Sequence, residues 1–138
     1  MAILLSTTFT NGLLGTGTSG VAVQIGGGTL VLYSGTPPTG PNEALSGNTA
    51  LATFTFSASG SQGTPASGSM TLSFSATTVS ASASGTASFF RVISSAPAAL
   101  IQGTAGTSGA DWNLSSTTIT SGDNVTITGT PTISWTVT

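Results

Sequence analysis

Apolar and polar residues alternate with period two along a series of short segments, each closed by glycine, serine or proline. Val21, Val23 and Ile25 alternate ahead of Gly26, Gly27 and Gly28. Thr29, Leu30, Val31, Leu32 and Tyr33 follow, apolar on both faces, as in a strand covered on both sides. In Leu51–Ser57, Phe54 and Phe56 share one face and threonine holds the other, and Met70, Leu72 and Phe74 repeat that pattern. Ala87–Ile93 is the most hydrophobic segment, and Ala99–Gln102 comes after Pro97. Val125 and Ile127, then Ile133, Trp135 and Val137, alternate with threonine or serine. The pattern predicts roughly eight strands about ten residues apart, an all-β chain folded as a β-sandwich or barrel.

Two stretches depart from this alternation. In residues 1–20, Leu4, Leu5, Phe9, Leu13 and Leu14 approximate a helical stripe that Ser6 would cap, while Gly12 and the threonines weaken it. A short helix or an extended arm is expected there, leaving residues 21–138 as one β domain. The second departure is Gly35–Pro41, where three prolines forbid regular structure. After it, Asn42–Leu45 predicts one helical turn capped by Asn42. No shift in composition marks a second domain, and the similar GTGTSG and GTAGTSG stretches read as loops, without a structural repeat.

Composition sharpens the fold and removes most chemistry. Serine and threonine fill 49 of 138 positions, yet 38% of residues are hydrophobic, which argues for a packed core over disorder. Threonine also suits strands through its branched Cβ. The charged side chains are Glu43, Arg91, Asp111 and Asp123, and there is no His or Cys. Disulfides, zinc and most transition-metal sites are thereby excluded. A serine or threonine nucleophile lacks the His or Lys base it needs. A single Arg excludes the phosphate neutralisation on which nucleic-acid affinity rests. The chain has no apolar run near the ~18 residues of a membrane helix. Its opening Met1–Leu5 is too short and too uncharged for a secretory signal. The expectation is a protein without catalytic, metal or cofactor residues, binding neither nucleic acid nor membrane.

The remaining motifs are weighed by context. Gly15–Gly20 spells GxGxxG, but a dinucleotide site needs a strand before it and a helix after it, and the strand-like VAVQI follows. Asp111 and Asp123 would serve glycoside hydrolysis only if they met in one cleft. Asp111 follows Ser-Gly-Ala and Asp123 follows Ser-Gly, turn contexts in which aspartate binds nearby backbone. No known calcium-loop spacing surrounds them. Asn113 and Asn124 fit glycosylation sequons that arise easily in so hydroxyl-rich a chain. Arg91 falls on the face of Phe89 and Ile93. If that face is covered, its charge needs a partner, and a structural ion pair with Asp111 is expected, with another carboxylate or stacking on Trp112 as alternatives. Trp112 and Trp135 suit core or interface anchors and could also stack on a sugar.

Three stretches carry a likeness: Gly28–Pro38 with Leu45–Ala52, Gly85–Val92, and Gly103–Leu114. Together they resemble small structural proteins of tailed bacteriophages, including head cement or decoration proteins. The resemblance covers about half of the chain. It implies a jelly-roll-like β-sandwich on the capsid surface of the virion, made in the host cytoplasm. Its implied partners are the major capsid protein and copies of itself, as a dimer or trimer. Trp112, Trp135 and Glu43 are the interface residues expected on that reading. The first residues depart from such chains, whose N-terminus is more charged and helical. A carbohydrate-binding or adhesive tail or surface module built on Trp112 or Trp135 is the competing expectation.

Overall fold

The computed structural model describes residues 3–6, 20–63, 69–129 and 131–134. Strands dominate the described residues and almost no helix is present among them, so the fold is all-β, a single domain of several sheets. In order, the elements are β1 (Leu4–Leu5), α1 (Val21–Ile25), β2 (Thr29–Ser34), β3 (Thr49–Thr55), a 3₁₀ turn (Ser59–Ser61), β4 (Ser69–Thr71) and β5 (Thr78–Ser80). There follow β6 (Gly85–Ile93), β7 (Ala99–Gly106), β8 (Trp112–Asn113), β9 (Thr118–Ile119), β10 (Asn124–Thr126) and β11 (Thr132–Ser134). The main sheet runs β1-β7-β6-β2-β3, with β8 attached to β7 and β9 to β6. Strands β5 and β10 form one ribbon, and β4 and β11 another.

Strand β2 shows why two environments arise. Its side chains alternate across the sheet, and both sets are buried. Leu30 and Leu32 enter a large apolar cluster with Phe54, Phe90 and Val92. That cluster also takes in Met70 of β4 and Val125 of β10, so both ribbons cover this face. Val31 and Tyr33 enter a small cluster with Phe89 on the opposite face. The register slips by one residue at Leu51, at Ser88 and at Leu100. An extra residue reverses the side to which the next side chains point. Ala87 therefore belongs to the large cluster although Phe89, two residues on, belongs to the small one. The jelly-roll path implied by the resemblance is a finer statement than this strand order carries.

Two local expectations are corrected, and at the N-terminus one of the two alternatives is seen over the described residues. Val21–Ile25 is a five-residue helix, not a strand: Ile25 is buried, Val21 and Ala22 pack on the large cluster, and Val23 points outward. Five residues fit either period, and the glycines that follow decide the matter by close approach. A Cβ on Gly28 would lie 2.2 Å from the Ile93 carbonyl oxygen, and one on Gly26 2.5 Å from the Ser59 nitrogen. Asn42–Leu45 forms no helix; the chain turns instead at Gly40–Glu43, where the Glu43 N–H donates to the Gly40 carbonyl. At the N-terminus, Leu4–Leu5 is extended and antiparallel to β7, and the Ser6 N–H bonds the Leu100 carbonyl at 2.7 Å. Over these residues the arm prevails over the helix, while Phe9, Leu13 and Leu14 lie outside the described residues.

Candidate functional site

The second face of the main sheet holds the most organised polar cluster in the described structure. β6 and β7 form a hairpin closed by Ser94–Ala98, which sets Arg91 opposite Gln102. Both side chains are buried, at 4% and 2% exposure. The Arg91 Nε donates to the Gln102 Oε1 at 2.9 Å. Its Nη2 donates to the carbonyls of Gly40 at 3.0 Å and Glu43 at 2.8 Å. The Gln102 amide donates in turn to the Pro38 carbonyl at 2.7 Å. The proline-rich segment from Gly35 to Asn48 is thus a strap, tied by its backbone oxygens to two side chains of the sheet.

The ends of the strap are also fastened. Asn48 Nδ2 donates to the carbonyls of Ser34 and Thr36, and its Oδ1 accepts the Ser46 N–H. Ser88, the extra residue in β6, donates to the Gly35 carbonyl. Proline dictates this solution. The three prolines remove N–H donors and keep the segment from pairing as a strand, so its carbonyls need donors from elsewhere. Arginine supplies up to five and accepts none. Burial works against the guanidinium charge and pulls its pKa below the ordinary value, opposed by the adjacent Tyr33 phenol.

The Arg91–Asp111 ion pair is not formed. Arg91 points to the Phe89 face, as its alternation predicts, but its partners there are the neutral oxygens of Gln102, Gly40 and Glu43. Asp111 lies beyond the far side of β7, where its Oδ2 accepts from the N–H and the Oγ1 of Thr104, both at 2.8 Å. Strand β7 therefore separates the two. Stacking of Arg91 on Trp112 is ruled out as well. The indole meets Phe54 and Phe90 edge-on, with centroids 5.8 and 5.9 Å apart, and these rings belong to the opposite face.

The other candidates are dispersed. Asp123 accepts the Thr120 N–H at 2.8 Å, the turn role expected of it. Asp111 also closes a loop, but seven residues wide. Asp111 and Trp112 line an apolar cleft of about 320 Å³ against β11, and Asp123 lines a separate hydroxyl-rich cleft of about 290 Å³. The two carboxylates thus do not share a cleft, which removes the hydrolase arrangement. Glu43 is exposed on the strap. Asn113 accepts the Ala110 N–H, and Asn124 is exposed in β10. Gly20 precedes α1, but Gly15–Ser19 and Trp135 lie outside the described residues.

Sequence reasoning missed Gln102, Asn48 and the carbonyls they hold. A hairpin across Pro97 would have placed Gln102 beside Arg91, and a lone amide ending an apolar run was the available signal. Among the described residues, no group of three or more His, Cys, Asp or Glu could hold a metal ion, and no helix is long and apolar enough to cross a membrane. No protein-family model, curated protein or solved structure matches this chain.

Proposed function

We propose that this chain is a non-enzymatic virion structural protein, a cement or decoration protein that stabilises a bacteriophage head by binding major capsid protein subunits and copies of itself. One observation carries the reading: the sole side-chain cation is spent inside the fold. Arg91 is buried, so the surface of 7146 Å² bears three carboxylates, Glu43, Asp111 and Asp123, and no side-chain cation. Uncharged groups, mainly hydroxyls, amides and apolar side chains, make up the rest. Such a surface has few ions to strip of water on docking. Apolar burial of about 25 cal/mol per Å² over a modest contact, repeated around a lattice, then becomes a large stabilisation.

The packing of Trp112 against Phe54 and Phe90 favours this over a carbohydrate-binding module, in which the indole would be held for a sugar. The mechanism is contact, without a reaction, and it suits a jelly-roll-like domain on the capsid surface. The deciding experiment is residue-level imaging and protein composition of purified particles. We expect the protein in fixed stoichiometry on the outer face of the shell; its absence from the particles overturns the proposal.

A further inference from the structure

We propose that the exposed tip of the strap, from Glu43 to Gly47, is the element that docks, with Leu45 as its apolar anchor. We also infer that its docking partner is a different protein, with an apolar socket beside a Lys or Arg, and not a second copy of this chain. The inference rests on the capsid reading and names the contact within it.

The first observation is preorganisation. The strap has neither helix nor strand, yet the carbonyls of Gly35, Thr36, Pro38, Gly40 and Glu43 are each held by a side chain from outside the tip. The Glu43 carbonyl on one side and the Ser46 N–H on the other are both fixed, so Ala44 and Leu45 sit between two anchored points. Ordering a loop on binding costs affinity, and a loop already ordered avoids that cost.

The second observation is exposure. All residues from Glu43 to Gly47 are exposed. Leu45, at 40%, is one of three exposed large hydrophobics among the described residues, with Ile3 and Val23. Covering the small apolar cluster does not require it, since Pro41 is the buried residue of the strap. The tip stands clear of the surface it helps to close.

Charge then selects the partner. Glu43 is the only charged residue of the strap. Its complement is a cation, and the one Arg of this chain is buried and engaged by Gln102, Gly40 and Glu43 oxygens. A second copy therefore offers no side-chain cation at its surface, and the partner that complements Glu43 is a different protein carrying a Lys or Arg there.

The test uses phage particles assembled without this protein, to which purified protein is added and its binding read by co-sedimentation. Leu45→Asp is expected to weaken binding by about tenfold or more, with the melting temperature unchanged. Glu43→Gln weakens it by about two- to fivefold and flattens its salt dependence. Val23→Asp, an equal change at the other end of the molecule's exposed apolar set, leaves binding intact. Wild-type affinity in Leu45→Asp overturns the inference while leaving the capsid reading standing, and so does an equal loss in Val23→Asp. Wild-type protein that does not bind such particles overturns the capsid reading itself.

Discussion

The two faces of the main sheet solve burial by different physics. On one, Leu30, Leu32, Phe54, Phe90 and Val92 meet the ribbons in a large apolar cluster, knit by rings such as Phe56 on Phe74 at 4.6 Å. On the other, Val31, Tyr33 and Phe89 form a small cluster, and a proline-rich strap is drawn over it by Arg91 and Gln102. The first face depends on area removed from water, which is non-directional and tolerant of shape. The second depends on a few directional bonds, which fix one loop conformation but carry a desolvation cost. A strap built on carbonyls and one buried cation is ordered where an apolar lid would only be covered. Stability and loop order are thus separable in this molecule.

That separation can be broken from either side. The largest effect is expected at the ribbon face: Phe54→Ala, at a fully buried ring touching Phe74 and Trp112, costs about 3–5 kcal/mol in denaturant unfolding. A cost below that of an exposed substitution would show that the large cluster is not the principal core. Arg91→Ala comes next, at about 2–4 kcal/mol, because it strands the Gly40 and Glu43 carbonyls and the Gln102 amide oxygen. Arg91→Met combined with Gln102→Leu sharpens the contrast. Apolar replacements remove the desolvation cost and are expected to recover much of the stability. Amide exchange in the strap rises all the same. A double variant with wild-type exchange at Glu43 and Ser46 would mean that the clamp does not order the strap.

These faces were not equally legible. Period two exposed the apolar one: Phe54 and Phe56, Met70, and Leu30 with Leu32 all take the buried positions that alternation assigns them. It failed at Val21–Ile25, where five residues cannot distinguish two periods, and at Thr78–Ser80, Trp112–Asn113 and Thr118–Ile119, too short and polar to show any. On the polar face, the side of Arg91 and its need for a partner were readable, but the partner was not. Opposite charge is visible in a sequence, and it points to Asp111. Backbone carbonyls are not visible, since every residue has one. Only the hairpin register and the path of the prolines bring Gly40, Glu43 and Gln102 within reach of the guanidinium.

The smallest effect sits between the two solutions, at Tyr33, the only tyrosine of the chain. Its ring lies in the small cluster, stacked on Phe89 with centroids 5.2 Å apart, while the charge of Arg91 is close by. Burial raises the phenol pKa above its ordinary value, and Arg91 pulls it partly back. The fold therefore favours the neutral phenol. That contribution is intact below the unfolded-state pKa and is lost as pH rises through the folded one, because the unfolded chain releases its proton first. Arg91, whose pKa is lowered, acts in the opposite sense: its deprotonation at high pH relieves the cost of burying its charge. Urea unfolding is accordingly expected to give steady stability to about pH 9 and a decline above about pH 10. Tyr33→Phe abolishes that decline and alters neutral-pH stability by about 1 kcal/mol or less. A variant that declines like the wild type would show that the buried Tyr33 phenol is not the source of the alkaline sensitivity, and Arg91, which titrates with the opposite sign, would not supply it either.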